Sequence, residues 1–357
     1  MSLPEASADQ YSGSPVTRPM HFVCPRDRIW PELLNWDGVL PPKEQVAERA
    51  VDGVDVWTVR TAYEFRKRGV SITISDRPDP RAINVTHVSS LGRRNRGLVA
   101  FWLAARADGH DNELANYLLL QNRSSVSRLP HGEVQHWLQP NLKPRDPARG
   151  DRIEVLSYKG VPRNIDAAFS SDAFRARLAG LGVRLDLGEA HRNGLGAIWS
   201  DYRHTDLVLA VRNLTIYDAD RKPASKLLNA WFADVPALLG PEVAFTEIGR
   251  PGIDYRVIRS PNDVLTAVAD LKENPRKYRA MIEAGRNRRQ AFDDDAVARK
   301  WFDLVNGPVG EAFDAWIRRP ALSRAFTVLG KMHREPAEVR RHREAFRSGD
   351  RILDVAE

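Results

Sequence analysis

Short runs of apolar and β-branched residues alternate with segments of helical periodicity along most of the chain. The apolar runs lack a strict alternation of polar and apolar positions, which is typical of strands covered on both faces. Helical spacing is clearest in 55–68, 170–180 and 261–271; the first is followed by Gly69, and Pro261 opens the third. The predicted strands are 21–25, 70–75, 82–88, 98–105, 152–158, 183–188, 206–211 and 235–240.

Strands that alternate with helices predict parallel sheets joined by right-handed crossovers. The pattern pauses at 139–151, where three prolines, a glycine and several charges are typical of a stiff linker. We therefore predict an α/β protein with two Rossmann-like doubly wound domains facing a cleft, followed by a C-terminal helical segment. The predicted parts are a disordered leader (1–19), an amino-terminal domain (20–142), a linker (143–151), a second domain (152–305) and basic terminal helices (306–357).

Charge and composition narrow the class of protein further. The net charge of +7 suits nucleic acid, an anionic membrane surface or phosphorylated ligands. Zinc-ligand spacing, aromatic–basic RNA-binding motifs and repeated basic helices are missing, so we expect no nucleic-acid partner. Cys24 is the single cysteine, the leader does not resemble a signal peptide, and no apolar segment approaches the ~20 residues that span a bilayer. We therefore expect a cytoplasmic protein.

Basic residues follow the strands predicted for the second domain. Lys159, Gly160 and Arg163 come after the strand 152–158, and Arg212 comes after 206–211. Because the carboxyl ends of parallel strands meet at one edge of a sheet, we expect these side chains to converge on one crevice. Arg and Lys bind phosphates, and a glycine lets the backbone come close to a ligand, so the pattern predicts a diphosphate site.

The segment 221–240, RKPASKLLNAWFADVPALLG, adds cations at the start of a predicted helix. Lys222 and Lys226 lie where the helix dipole already favours an anion, which indicates that something negative binds there. Ser225 has two readings: it donates to a phosphate oxygen, or it caps the helix.

The segment 222–247, KPASKLLNAWFADVPALLGPEVAFTE, resembles the nucleotide-sugar motif of GT-B fold glycosyltransferases. The segment 254–292 resembles the part that follows this motif, and its residues Pro275, Tyr278, Met281 and Gly285 match a "P..Y..M...G" helix. Shorter segments in the first half, 54–69 and 136–154, are similar to bacterial members of this group.

The sequence departs from the common retaining members of that fold, which carry two glutamates eight positions apart. Aligned on Pro236, Arg221 stands at the first glutamate and Asn229 at the second, while Asp234 replaces a glycine. Asn229 can still bond a ribose hydroxyl, whereas an arginine accepts no hydrogen bond. The resemblance therefore implies altered handling of the donor, with the retaining outcome left open.

Other groups are candidates for the work of the missing glutamates. Lys222 and Lys226 would hold the diphosphate, and Lys226 would also stabilise the leaving group. Glu242 is the nearest remaining carboxylate and has two readings, a ribose ligand or a surface turn residue.

The resemblance implies a glycosyltransferase that moves a sugar from a nucleoside diphosphate, such as UDP or GDP, to a glycan, lipid-linked or protein acceptor in bacterial surface glycan assembly. It implies no metal and no cofactor. If the reaction inverts the anomeric centre, a base from the first half is needed, and His87 and His110 are the candidates. Two alternatives remain: a non-catalytic sugar-nucleotide-binding or partner protein, and an epimerase, which would need a pair of carboxylates.

The C-terminal region is basic, since residues 318–351 hold ten Lys and Arg against four Asp and Glu. Leu322, Phe326 and Leu329 have helical spacing there. The helix either packs onto the body of the protein or touches anionic lipid as a peripheral contact at the inner face of the membrane.

Overall fold

The computed structural model describes residues 16–28, 40–50, 52–92, 97–188, 199–331 and 337–353, without the side chains of Arg163, residues 337–339 and His342. Most of the leader predicted to be disordered therefore lies outside the described residues. Among the described residues, no helix has both the length and the apolar character that a membrane crossing requires.

The first sheet contains six parallel strands in the order β2-β1-β3-β4-β5-β6. Four of them match predicted strands, whereas the sequence pattern missed β5 and β6. Strand β6 consists of His, Gly and Glu, so no apolar run marks it. The strands are β1 (Met20–Val23), β2 (Ile72–Ser75), β3 (Ile83–His87), β4 (Phe101–Ala105), β5 (Tyr117–Leu120) and β6 (His131–Glu133).

The second sheet contains five parallel strands in the order β11-β10-β9-β7-β8. Apolar side chains cover both of its faces, as the continuous apolar runs predict. The strands are β7 (Val155–Tyr158), β8 (Arg184–Asp186), β9 (Leu207–Ala210), β10 (Ala237–Leu239) and β11 (Arg256–Val257). Two parallel sheets with flanking helices confirm the predicted pair of Rossmann-like domains.

The helices begin and end where local chemistry favours it. In α8, Pro261 is the first residue, as the sequence predicts, and Ser260 and Asp263 form a reciprocal capping box around it. A π-helical segment (Val56–Arg60) joins α2 to α3. The α-helices are α1 (Lys43–Arg49), α2 (Gly53–Asp55), α3 (Thr61–Lys67), α4 (Asp172–Gly180), α5 (Ile216–Ala219), α6 (Ser225–Phe232), α7 (Val243–Ile248), α8 (Pro261–Glu273), α9 (Pro275–Arg289), α10 (Asp294–Asn306), α11 (Pro308–Ile317), α12 (Ala321–Lys331) and α13 (Ala337–Ser348). Short 3-10 turns occupy Arg26–Arg28, Val88–Ser90, Pro147–Arg149, Pro162–Asn164, Ala167–Phe169 and Gln290–Phe292.

Helices from the end of the chain complete the core of the first domain. The ring of Trp301 in α10 lies 5.6 Å from that of Phe65, and Phe313 in α11 lies 5.5 Å from Phe101. Val328 of α12 is buried in the same core. Helix α10 lies within the range predicted for the second domain, yet its buried face packs against the first sheet. Helices α11 and α12 pack back onto the body of the protein in the same way.

Candidate functional site

A cavity of about 310 Å³ lies between the two domains, where residues after the carboxyl ends of both sets of strands meet. The first domain contributes Asp52, Trp57, Asp108, Gln121 and His136 to its wall. From the residues predicted to bind the nucleotide sugar, the structure brings the following to this cavity: Lys159, Gly160, Arg212, Lys222, Ser225, Lys226 and Asn229.

Helix α6 turns polar residues to the cavity because its opposite face is buried. Leu227 and Trp231 lie in the core of the second domain. Gly285 of α9 lets Trp231 approach, since a Cβ at Gly285 would lie 2.6 Å from the indole Cδ1. The glycine of the predicted "P..Y..M...G" pattern thus helps to position α6, and Lys226 and Asn229 line the cavity.

The capping role considered for Ser225 does not occur. Ala224 is the N-cap residue of α6, and no side chain makes a cap hydrogen bond. Ser225 is the first residue of the helix and lines the cavity.

Two lysines of the cavity are held in settings that disfavour their charge. Burial lowers the pKa of Lys226 to about 7, helped by Arg212 and Lys222 and opposed by Glu242 and Asp108. With the described residues, the Lys226 ammonium forms neither a hydrogen bond nor an ion pair. An anion that enters the site would therefore strongly stabilise the charged form of Lys226.

Lys159 occupies a similar setting. Burial lowers its pKa to about 8, against the opposing charges of Asp186 and Asp201. Its Nζ donates to the Asp201 carbonyl oxygen at 2.5 Å and lies 4.9 Å from the centroid of the Tyr202 ring.

Arg212 is fixed by Glu242. The Arg212 Nε donates to Glu242 Oε1 at 2.8 Å, and a second hydrogen bond joins Nη2 to Oε2. Glu242 is fully buried and does not line the cavity. The interpretation of Glu242 as a surface turn residue is therefore wrong. Its carboxylate lies away from the cavity, so its position does not support a role as a ribose ligand, and Glu242 instead orients Arg212.

Lys222 joins the two domains across the cavity. Its Nζ lies 2.7 Å from Asp108 Oδ2, which follows β4 of the first domain. Nearby, Gln121 donates to the Arg221 carbonyl at 2.8 Å, and Asn122 donates to the Lys222 carbonyl at 2.8 Å. The loop after β5 therefore holds the turn that carries Lys222.

The remaining predicted site residues lie elsewhere. The Arg163 side chain is outside the described residues. The Arg221 guanidinium stacks 3.5 Å from the centroid of the Tyr217 ring and does not line the cavity. Arg221 therefore does not occupy the place at the donor that the family's first glutamate would have.

Neither histidine predicted as a base lines the cavity. The His87 Nδ1 accepts from the Ser89 backbone N–H at 3.2 Å, and burial lowers the pKa of the ring. The His110 Nδ1 lies 2.9 Å from the Tyr217 hydroxyl. His87 lies behind the cavity wall, since its Nε2 would be 3.7 Å from a Cβ at the lining residue Gly53, whereas His110 contributes to the contact between domains.

His136, which the sequence analysis did not single out as a base, does line the cavity. Its Nδ1 lies 2.6 Å from the Trp137 carbonyl oxygen. Because a carbonyl only accepts hydrogen bonds, Nδ1 carries the proton of the neutral ring, and Nε2 is unprotonated. Burial lowers the pKa of His136, so the ring is neutral at pH 7. Strand β6, which the sequence pattern did not predict, precedes His136. The pattern therefore gave no reason to place this residue after the end of a strand.

Two carboxylates also line the cavity, but each has a cationic partner. Asp52 pairs with Arg28, and Asp108 pairs with Lys222. Both pKa values are lowered overall, although burial alone would raise them. Within the described part of the chain, no group of three or more His, Cys, Asp or Glu side chains is placed to hold a metal ion.

Comparison with known proteins supports the resemblance noted in the second half. Residues 166–302 match the model of a family described as glycosyl transferase-like. No curated protein matches the chain. The resemblance predicted from the sequence is therefore confirmed for the part of the chain that carries Arg212, Lys222 and α6.

Solved structures that match this chain have very different sequences. HepE from Anabaena, solved with UDP and glucose, is 10% identical, with 84% of this chain and 100% of HepE covered and a TM-score of 0.46. Sucrose-phosphate synthase from Thermosynechococcus elongatus is 14% identical, with 79% and 83% covered and a TM-score of 0.44. TarM is 8% identical with a TM-score of 0.46; 64% of this chain is covered, and the match spans about half, 55%, of TarM.

Proposed function

We propose that this glycosyltransferase-like protein transfers a sugar from a nucleoside diphosphate to a hydroxyl group of an acceptor. One observation carries the proposal: Lys159, Arg212, Lys222 and Lys226, from separate turns of the second domain, line a single cavity between the domains. Lysine and arginine side chains brought together in a cleft suit a diphosphate, and Gly160 leaves room for the backbone to approach it.

In the proposed reaction, the bond between the anomeric carbon and the diphosphate oxygen breaks, and its electron pair stays on the diphosphate. The cations of the second domain stabilise that growing negative charge. The acceptor hydroxyl gives its proton to His136 Nε2, and its oxygen forms the new bond from the opposite face, which inverts the anomeric centre. The proposal includes no metal and no cofactor, since lysines and arginine supply the positive charge.

Nucleotide binding tests this function directly. Thermal unfolding is measured with UDP, GDP and CDP, because a ligand at 100 times its Kd stabilises a protein by roughly 2.7 kcal/mol. We expect one of these nucleotides to raise the melting temperature, and Lys222→Ala and Lys226→Ala to remove most of the rise. Lys67→Ala, at an exposed position in α3, is the control and should behave as wild type. Unchanged affinity in both cavity variants would refute the proposal.

A second candidate is a sugar-nucleotide-binding protein without transferase activity. It is favoured by Arg221 and Asn229, which stand where the common retaining members carry glutamates. Release of nucleotide from UDP-glucose and GDP-mannose distinguishes the two functions: turnover that disappears in Lys226→Ala supports the enzyme, and tight binding without turnover supports the binder. An epimerase is less well supported, because Asp52 and Asp108 are both held by cations.

The proposal extends to a glycan, lipid-linked or protein acceptor, to surface glycan assembly, and to a cytoplasmic location with contact to the inner face of the membrane. Helix α12 supports that contact, since Leu322 is 75% and Phe326 71% exposed. Co-sedimentation with phosphatidylglycerol vesicles should fall sharply in a Leu322→Ser, Phe326→Ser double variant. Equal sedimentation of the variant and wild type would contradict a membrane role for α12.

A further inference from the structure

The two walls of the cavity differ in charge. Among the described residues that line it, all the lysines and arginines belong to the second domain. The described lining residues of the first domain include no lysine or arginine, but they include Asp52 and Asp108 beside Gln121, His136 and Gln139. A ligand that spans the cavity therefore meets cations on one side and carboxylates with neutral polar groups on the other.

Asp108 brings its negative charge close to the cationic wall. Its Oδ2 lies 2.7 Å from Lys222 Nζ, and its charge acts on Lys226 as well. A diphosphate bound to Lys222 and Lys226 would thus lie next to Asp108, with its sugar toward the wall of the first domain. The same diphosphate would compete with Asp108 for Lys222 and leave the carboxylate available to the sugar.

Asp52 adds a second negative charge to the same wall. Its Oδ1 accepts from the Asp55 backbone N–H at 3.0 Å, and its other oxygen pairs with Arg28. Asp52 and Asp108 both line the side of the cavity that the first domain forms. Ionised carboxylates only accept hydrogen bonds, so they suit sugar hydroxyl groups and offer no donor to a second anion, even where a cation such as Arg28 offsets their charge.

The neutral groups of this wall have the same preference. His136 Nε2 is an acceptor in the neutral ring, because Nδ1 donates to the Trp137 carbonyl. Gln121 and Gln139 carry amide groups that can pair with hydroxyls and bring no charge. Together, these side chains fit a ligand rich in hydroxyl donors and free of formal negative charge.

We propose that the sugar carried by the diphosphate is uncharged, and that Asp52 and Asp108 exclude sugars with a carboxylate. This inference rests on the proposed function, because it needs the diphosphate to lie on the second-domain wall. It names the class of donor: a neutral hexose or a similar hydroxyl-rich sugar, in place of a uronic or other acidic sugar.

The test compares donors that differ only at one carbon. Calorimetric titration measures the Kd of UDP, UDP-glucose and UDP-glucuronate, and of GDP, GDP-mannose and GDP-mannuronate. For the nucleotide that binds, we expect the acidic sugar nucleotide to bind at least tenfold more weakly than its neutral counterpart. Asp52→Asn should reduce this ratio to about threefold or less, and Glu273→Gln, an exposed carboxylate in the second domain, should leave it unchanged.

The outcomes separate the two proposals. If UDP or GDP binds but the acidic sugar nucleotide binds as tightly as the neutral one, the inference is overturned and the nucleotide site stands. An unchanged ratio in Asp52→Asn also overturns it, because the discrimination would then come from elsewhere. If UDP, GDP and CDP all fail to bind, the proposed function and this inference fail together.

Discussion

Without a bound anion, the surroundings of Lys159 and Lys226 favour loss of a proton from each ammonium group. Burial is the main cause for both, and it lowers the pKa of Lys226 to about 7 and that of Lys159 to about 8. A bound diphosphate would favour the charged forms, so binding and proton uptake are coupled.

Nucleotide affinity should therefore fall as the pH rises from 7 to 9. The bound state needs both ammonium groups, whereas the free protein loses these protons as the pH passes about 7 and about 8. Calorimetry at constant ionic strength should show affinity at pH 9 weaker by a factor of roughly 10 or more. Lys226→Arg should reduce this pH dependence, since a guanidinium keeps its charge; affinity independent of pH in wild type would contradict the coupling.

His136 should act on the rate and leave donor binding intact. We expect His136→Gln to lower kcat by about 10²–10⁴ with little change in the Kd of the donor, because it removes a base. Wild-type activity should be lost as the pH falls through the lowered pKa of His136, where the ring gains a proton. His87→Gln and His110→Gln provide the comparison: a larger loss in either would return the role to the residues that the sequence predicts.

At the residue scale, sequence reasoning found the cationic wall of the second domain. It missed the contribution of His136 to the opposite wall. Lys159 and Arg212 follow apolar strands, so chain position alone predicted where they lie. His136 follows a strand of His, Gly and Glu, which carries no apolar signal. Glu242 looked like a free carboxylate because its pairing with Arg212 depends on how two loops meet in space.

At the scale of elements, the position of α6 depends on its packing against α9. Gly285 contacts the Trp231 ring so closely that a Cβ would lie 2.6 Å from the indole Cδ1. Both helices would have to move to admit a methyl group, and the start of α6 carries Lys226 to the cavity.

Gly285→Ala should therefore reduce both stability and nucleotide affinity. Overpacking of this kind costs about 1–3 kcal/mol of unfolding free energy, to be measured by urea denaturation. Gly330→Ala in α12 is a matched control, because a Cβ there would meet nothing within 4 Å, and it should stabilise by up to about 1 kcal/mol. A Gly285→Ala protein as stable as wild type would show that α6 is positioned by other contacts.

The elements that the sequence predicted best are those with long apolar or capped patterns. Strands β3, β4, β7 and β9 coincide closely with predicted runs because both of their faces are buried. Strand β11 has two residues and no buried side chain, so burial left no pattern to detect.

At the scale of the whole molecule, a helix that starts beside the second domain helps to build the core of the first. Helix α10 starts beside the second domain and then supplies Trp301, Phe302 and Val305 to the core of the first. The buried Arg60 guanidinium lies 3.2 Å from Asp294 Oδ2 at the start of α10 and fixes the crossing. Sequence periodicity shows an amphipathic helix but cannot say which sheet its apolar face covers.

A chain that ends at Asp293 should therefore lose the fold of its first domain. Removal of α10–α12 exposes the apolar face around Phe65 and Phe101, whereas the second sheet loses only Ile352 and Leu353 from its covering layers. Limited proteolysis should degrade residues 20–142 and leave a resistant fragment that begins near residue 150. A chain that ends at Lys331 retains these helices and should resist proteolysis throughout; a resistant first domain in the shorter chain would contradict the expectation.

The crossing helices also set an order of assembly during synthesis. The ribosome makes the first sheet early, but the side chains that seal one of its faces are made only after residue 293. The second domain is encoded later, yet apart from Ile352 and Leu353 its core side chains are all made before residue 293. The amino-terminal half must therefore wait, partly uncovered, until the residues up to Val328 have emerged, and this interval is when the nascent protein is most exposed to aggregation.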